Sequence, residues 1–537
     1  MPLFESRIDP YSSEFQANSE HMAAGVQELR DIEQRGLEKA EAKIPAYREK
    51  GYMSPRERLN LLLDPGAPFL ELYSLAGYMQ GNDTDGSTAG GTCIAGIGYV
   101  KGTRCAVYVD DFLTKGGSIS RFGMDKRKNM QALALNKKLP LLVLAQSGGG
   151  DLREMGDTFG FSGEMFANQA RLSAAGIPQI TVVHGSATAG GAYQPGLSDY
   201  IVMIRRQSTV YLAGPPLLKA ATGEVATDEE IGGAELHSEI SGVSDYIAEN
   251  DADGIRIARE IIGKLDWNKA MPAREPKKFK EPLYPRQELL GIVPVDPKTP
   301  YDCREIICRI ADGSDILDFK PAYDEGTVCA FIEIHGQACG VLGNNSPITA
   351  QGAAKAAQFM QLCDQSDIPM VFLHNTTGFV VGTEPERNGI IKHGSKMIQA
   401  VTNTTVPKIS VVVGGSYGAG NYAMCGRGMK PDFMFAWPNS VVSVMGPPQA
   451  GSVLRQVAHA RMKKAGQVDE QALDQIETDT RIAMQERSHA LANTARLWDD
   501  GLIDPRDTRR ILAFVLGICR EAEIRKVRTN TFGIARM

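Results

Sequence analysis

The chain repeats itself, and that repeat constrains its fold more than any other feature. Leu139-Pro140-Leu141-Leu142-Val143-Leu144 returns as Ile368-Pro369-Met370-Val371-Phe372-Leu373, a displacement of 229 residues. Ile177-Pro178-Gln179-Ile180-Thr181-Val182-Val183 returns as Val406-Pro407-Lys408-Ile409-Ser410-Val411-Val412, and Thr188-Ala189-Gly190-Gly191-Ala192-Tyr193 as Tyr417-Gly418-Ala419-Gly420-Asn421-Tyr422, at the same displacement. Ala213-Gly214-Pro215-Pro216 then faces Met445-Gly446-Pro447-Pro448 at 232. Ordered matches at a nearly fixed offset mark an internal duplication.

Each copy has the same grammar: a proline-initiated run rich in Val, Ile and Leu, a loop containing Gly, a helical stretch, a second such run and a Gly-rich turn. Apolar runs of strand length alternating with helices predict a layered α/β fold with strands buried on both faces. The Pro- and Lys-rich stretch from Pro272 to Pro297 is the natural linker, which sets two domains, 1–280 and 281–537. Residues 16–50 read as a helical arm, with Met22, Val26, Leu29, Ile32 and Leu37 at helical spacing. Ser54-Pro55 has the character of a helix start, and Asp64-Pro65-Gly66 of a stop.

Bulk properties narrow the function. A net charge of -6 offers no field for nucleic acid. No segment approaches the roughly 18 apolar residues needed to cross a bilayer, and Met1–Glu20 resembles neither a secretory signal nor a transit peptide. A cytoplasmic protein is expected. The nine cysteines include no Cys-x-x-Cys pair, which predicts buried thiols and no structural zinc.

The chemistry points to the twin turns. In each copy a β-branched strand (Thr181 to Val183; Val411 to Val413) runs into small residues and then a helix start. Such a turn presents backbone N–H groups that no Cβ obstructs, a geometry suited to an anion such as an enolate oxygen. Glycines that only permit close strand-to-helix packing are the competing explanation, and the duplication favours the functional one. Ser147-Gly148-Gly149 follows a strand without forming a Gly-x-Ser-x-Gly elbow, and reads as a loop over which substrate approaches the backbone. Gly96-Ile97-Gly98-Tyr99-Val100-Lys101-Gly102 reads as a hairpin, and no phosphate-binding Gly-x-x-x-x-Gly-Lys loop is present. His184 reads as a core histidine. Asp110 and Asp111 face opposite sides of a strand, and Lys392, His393 and Lys396 fit a solvated face as well as an anion site.

Ala189 to Tyr193, Leu212 to Pro216, Ser416 to Arg427, Trp437-Pro438-Asn439 and Val444-Met445-Gly446 together resemble the carboxyltransferase β subunits of biotin-dependent acyl-CoA carboxylases, from about residue 20 to the C-terminus. The Gly418-Ala419-Gly420-Asn421-Tyr422 version is similar to the methylcrotonyl-CoA and geranyl-CoA branch. The resemblance implies two tandem crotonase-like domains, acyl-CoA held mainly by the N-terminal one and biotin by the C-terminal one of a neighbouring subunit. It implies oxyanion holes at Gly190 and Gly191 for the thioester and at Ala419 and Gly420 for the biotin ureido oxygen. It places Ser147, Gly148, Gly149, Ala189, Ser162 and Phe166 on the substrate side, and Gly378, Phe379, Tyr417, Gly418, Asn421 and Tyr422 on the biotin side. It implies a hexamer of β subunits carrying six biotin carboxylase/carrier α subunits. Met462-Lys463 and Met429-Lys430 lack the biotinylation signal, so biotin must arrive on a partner chain, and no metal is expected.

One departure bears on the acyl group. Methylcrotonyl-type subunits commonly read Phe-Gly-Arg-Ile-Phe where this chain reads Ser162-Gly163-Glu164-Met165-Phe166, and the loop expected at Asp151 to Phe161 also differs. Serine leaves room for a longer chain and tilts the expectation to geranyl-CoA, with methylcrotonyl-CoA next and propionyl-CoA after it. Rival readings are a biotin-independent hydratase or decarboxylase of the same fold, which would want paired Glu side chains, and a non-catalytic scaffold.

Overall fold

The structure, a computed structural model, describes residues 4–81, 83–151, 153–272, 277–296 and 299–530, without the side chains of 155, 157 and 158. Two sheets carry the two copies. The first has β1 (Leu70–Glu71), β2 (Cys93–Val100), β3 (Thr103–Asp110), β4 (Leu141–Ser147), β5 (Gln179–Thr188), β6 (Tyr200–Ile204), β7 (Thr209–Tyr211) and β8 (Tyr246–Ala248), in the order β1-β2-β3-β4-β5-β6-β8 with β7 on β5. The second has β9 (Leu317–Asp318), β10 (Thr327–Ile334), β11 (Gln337–Asn344), β12 (Met370–Thr376), β13 (Lys408–Tyr417), β14 (Phe433–Ala436) and β15 (Val441–Ser443), in the order β14-β13-β12-β11-β10-β9 with β15 on β13.

The repeat is therefore architectural, and it reaches further than the sequence matches. β12 and β13 repeat β4 and β5 residue for residue at 229, and the helix Ala350–Gln365 repeats Arg121–Asn136 at the same displacement. Their N-caps correspond too: Ser120 Oγ accepts from Gly123 N–H (3.1 Å) and Thr349 Oγ1 from Gly352 N–H (2.9 Å). The antiparallel hairpins β2–β3 and β10–β11 complete the match. The central strands β3 to β6 and β11 to β14 pair in parallel, and every residue of β4 is buried. Burial on both faces explains why these strands are continuous apolar runs. One core gathers Val107, Leu142, Leu144, Ile180 and Val182 with Ile255 and Ile262; another gathers Leu342, Met370 and Phe372 with Phe359, Met360 and Met397.

The packing units do not follow a single cut at residue 280. One unit comprises Met1–Arg30, Glu275–Thr494 and Trp498–Gly517; the other comprises Asp31–Arg274, Ala495–Leu497 and Ile518–Met537. The first thirty residues join the second copy because Phe15 packs over Gly291, where a methyl group would sit 2.4 Å from its ring, and Asn18 accepts from Val295 N–H (3.0 Å). The C-terminal segment joins the first copy: Lys138 donates to the Arg525 carbonyl (2.7 Å), and Asn530 N–H to that of Ala174 (2.8 Å). Of the expected linker, residues 273–276 and 297 lie outside the described residues.

Local expectations fare unevenly. The arm is helical over Ser13–Glu41 and Ile44–Arg48, and Ser54 closes a capping box with Glu57 ahead of the helix Pro55–Leu62. Lys101-Gly102 forms the turn between β2 and β3. The expected loop at Asp151 to Phe161 is instead largely helix, since Met155–Ala174 is helical. Gly156, Gly160 and Gly163 lie within it with open space around them.

All nine cysteines are buried and none forms a disulfide, and burial raises the Cys363 and Cys425 thiols to about 12. Ellman's reagent is expected to find no fast-reacting thiol in the native chain and nine after denaturation. A rapidly modified native thiol would contradict this packing.

Candidate active site

Both copies build the same turn by the same means. β4 and β12 each bulge one residue before their end, between Ala145 and Ser147 and between His374 and Thr376. The hydroxyl at the strand end then pins the following loop: Ser147 Oγ accepts from Gly149 N–H (3.1 Å), and Thr376 Oγ1 from Gly378 N–H (3.2 Å). A second clamp holds the loop from below, with Ile119 N–H donating to the Gly149 carbonyl (2.8 Å) and Ile348 N–H to that of Gly378 (2.9 Å). Gly149 and Gly378 have φ of 90° and 111°, in the region that favours glycine.

Against this loop lies the end of the neighbouring strand. β5 ends at Thr188 and passes through Ala189, φ 53°, into a short helical segment; β13 ends at Tyr417 and passes through Gly418, φ 54°, into the helix Gly418–Ala423. The left-handed residue reverses the chain sharply, so the next amides open a helical turn and have no carbonyl four residues behind them. Those amides belong to Gly190 and Gly191 in one copy and to Ala419 and Gly420 in the other. Close packing demands glycine at 420, where a methyl group would lie 2.8 Å from Gly378 Cα, whereas one on Gly191 would make only ordinary contact with Ser147 at 4.0 Å.

The other expected residues divide. Phe166 stands beside the first turn, with its ring 5.2 Å from that of Tyr193 and its edge 3.8 Å from where Gly190 would carry a Cβ. Ser162 lies one helical turn before Phe166, its hydroxyl returned to the Phe159 carbonyl (2.7 Å). Gly148 and Tyr422 are exposed, and Tyr417 is half-buried. Two side chains expected on the biotin side make contacts within the protein. The Phe379 ring packs on Gly394, and the buried Asn421 amide donates inward to Ser416 Oγ (2.8 Å), which faces His374 Nδ1 at 3.0 Å. Asn421 thus braces the turn. Burial pushes His374 down to about 3, so it is neutral.

A buried polar ladder under the first turn escaped sequence reasoning. Asp110 accepts from Arg127 (2.7 Å) and from Gln146 N–H (3.0 Å), and Gln146 Oε1 accepts from Arg58 (2.7 Å). Arg58 reaches Asp251 (3.1 Å), whose other oxygen meets His184 Nδ1 (2.7 Å) and Gln207 Nε2 (2.6 Å). Burial and the nearby Arg58 charge push His184 down to about 4 despite Asp251, so His184 is a neutral core residue. The only signal for the ladder was the unusual polarity of Gln146 and His184 inside apolar strands. Asp110 and Asp111 do not form an acid pair, since Asp111 instead accepts from Thr114 (2.6 Å). Lys392 and Lys396 are exposed. Among the described residues no group of three or more His, Cys, Asp or Glu is placed to hold a metal ion, and no helix is long and apolar enough to cross a membrane.

With this geometry in hand, comparison with known proteins is decisive. The carboxyl transferase domain matches residues 46–532. The chain belongs to the carboxyl transferase family of biotin-dependent acyl-CoA carboxylase β subunits. It is 43% identical, over the whole of both chains, to a probable biotin-dependent acyl-coenzyme A carboxylase beta2 subunit of Mycobacterium tuberculosis. It is 44% identical to that organism's biotin-dependent 3-methylcrotonyl-coenzyme A carboxylase beta1 subunit, over 91% of this chain and 92% of the relative. The geranyl-CoA carboxylase beta subunit of P. aeruginosa superposes with a TM-score of 0.94 at 56% identity, covering all of both chains.

Two predictions test the site's physics. Ala189 adopts a conformation that costs a residue with a Cβ roughly 1–2 kcal/mol, so Ala189→Gly is expected to raise the Tm by a few degrees, measured by calorimetry. A lower Tm would contradict the φ. Asp499, buried in the unit that carries the second sheet, is pushed up to about 7 by burial and by Asp500, against the Thr494 hydroxyl and Arg427. Its folded pKa lies above its unfolded one, so its stabilising contribution is complete in acid and is lost as pH rises towards 7. Asp499→Asn should therefore gain stability relative to the parent between pH 5 and pH 8 in urea titrations. A difference independent of pH would refute the shift.

Proposed function

We propose that this carboxyltransferase acts on geranyl-CoA, with 3-methylcrotonyl-CoA the second candidate and propionyl-CoA a distant third. The observation that carries the preference is Ser162 on the same helical stripe as Phe166, which borders the first turn. A small residue there lengthens the space beside the thioester. The likeness to the P. aeruginosa geranyl-CoA carboxylase subunit supports the same choice.

Biotin, borne on a separate α subunit, supplies the carboxyl group when it is bound. Free amides, rather than charged side chains, suit a ligand whose recognition point is a neutral ureido oxygen. The Gly190 and Gly191 N–H groups would stabilise negative charge on the thioester oxygen as the acyl group loses its proton. Those of Ala419 and Gly420 would hold the ureido oxygen. Ser147 and Gly149 position the first turn, and Thr376 and Gly378 the second. The acyl-CoA side then falls in 1–280 and the biotin side in 281–537, and the reacting pair of turns is completed between neighbouring β subunits of a hexamer bearing six α subunits. The protein works in the cytoplasm on this reading. Two buried, neutral histidines and the absence of a glutamate pair at the described turns favour it over a hydratase.

Copurification with the biotinylated partner and bicarbonate incorporation into geranyl-, methylcrotonyl- and propionyl-CoA tests the substrate. Geranyl-CoA is expected to give the highest kcat/KM, and Ser162→Phe to shift preference towards methylcrotonyl-CoA by about tenfold or more. A parent enzyme that prefers propionyl-CoA would overturn the assignment. The turns themselves are tested at Ala419, which is exposed and opens the helix. Gly420→Pro would clash with Gly378, whereas Ala419→Pro removes an N–H at a position that tolerates proline. Loss of one such donor typically removes about 10²–10³ in kcat. Full activity in a folded Ala419→Pro enzyme would sink the assignment.

A further inference from the structure

The two copies differ beside their turns. In the first copy, Val183 beside the turn sits in a cluster with Ala192, Met203, Val210, Ala234 and the partly buried Ile247. In the second, Val412, the counterpart of Val183, clusters with Met434, Ala436 and the partly buried Val442 and Leu502, and a cavity of about 410 Å³ opens beside them. Its mouth is at Gly418, Tyr422 and Val444, on the turn, and its deep end is at Ser440, Asn493 and Asp499. A volume of this size is within the usual range of small-molecule sites.

The deep end is polar and unsatisfied. Ser440 Oγ and Asn493 Oδ1 are buried atoms without a hydrogen-bond partner, in residues 2% and 3% exposed. Asn493 uses its N–H₂ on the Ser488 carbonyl (2.7 Å), which leaves the oxygen able only to accept. Buried polar atoms are nearly always paired, so two orphans at the end of one cavity point to a ligand that pairs them. That ligand must bring N–H or O–H donors. It must also be uncharged: Asp499 is buried with Thr494 as its partner (2.6 Å), and Arg427 is engaged by Asp500 (2.7 Å), so the cavity offers no net charge to an ion. The walls, Val412, Met434, Ala436 and Val442, call for an apolar body.

We propose that this cavity is a resting seat for an uncharged cyclic urea, the discharged biotin ring, whose N–H groups meet Asn493 Oδ1 and Ser440 Oγ. The proposal rests on the biotin reading of the second turn. The seat is distinct from the reacting position, because Ser440 lies three residues before Ser443, the β15 residue paired with Tyr417. Three extended residues span about 10 Å, too far for one ring to touch both the deep end and the Ala419 and Gly420 amides. A carboxylated ring carries a negative charge for which the cavity offers no counter-charge, so the seat selects the ring that has already given up its carboxyl group.

Trp498 lines the cavity and reports on it. Titrating the purified chain with biotinamide is expected to change tryptophan fluorescence saturably, a change lost in Trp498→Phe. Ser440→Ala is expected to weaken binding about tenfold, as for one lost hydrogen bond. Val442→Phe, at a half-buried wall position, is expected to abolish binding by filling the cavity while the Tm is kept. Biotinamide binding that neither variant changes overturns the seat, as does tighter binding of geraniol than of biotinamide. Bicarbonate incorporation by the parent enzyme with its biotinylated partner separates the two levels: its failure rejects the biotin reading, whereas its success with unaltered biotinamide binding in the variants rejects only the seat.

Discussion

Everything distinctive about this protein depends on backbone amides that open a helical turn. Where β5 and β13 end, one residue at φ 53° or 54° turns the chain into a helix start, and the following N–H groups have no carbonyl four residues behind them in the helix. In water such amides are unremarkable. Held against a glycine loop clamped by Ser147 or Thr376, they become fixed donors, aimed before any ligand arrives, and fixed donors stabilise developing negative charge without reorganising. The sheets, the paired bulges and the close contact of Gly378 with Gly420 serve to keep these amides in place.

The two copies meet that requirement with different scaffolding. Beneath the first turn an ion-paired ladder runs from Arg127 through Asp110, Gln146, Arg58 and Asp251 to His184. Beneath the second, a neutral chain of His374, Ser416 and Asn421 does the bracing. Buried ionic networks contribute little net stability but penalise any rearrangement that unpairs them. The ladder therefore makes the first turn rigid, whereas the second turn is flanked by an open cavity. Duplication supplied one geometry, and divergence of the support around it allowed the two turns to take different ligands.

The duplication, the α/β class and the location of both turns were legible in the sequence because they rest on local signals: proline-led apolar runs and small residues at a constant spacing. The hairpin repeat was hidden since β2–β3 and β10–β11 share an alternation of apolar residues but hardly any identities. The exchange of chain termini between units depends on contacts such as Phe15 over Gly291, separated by hundreds of residues. The resemblance placed Asn421 on the biotin side; the position of Ser416, five residues earlier on β13, turns its amide inward. The loop expected at Asp151 to Phe161 proved largely helical, since Met155 to Ala174 forms one continuous helix.

The central claim is a division of labour between equivalent turns. It is tested most directly by a structure of the assembled enzyme with a non-reactive acyl-CoA analogue and biotin both bound. The account predicts the thioester oxygen within about 2.7–3.1 Å of the Gly190 and Gly191 nitrogens, and the ureido oxygen at the same range from those of Ala419 and Gly420. Both ligands on one turn, or a thioester oxygen held by a side chain instead, would contradict it.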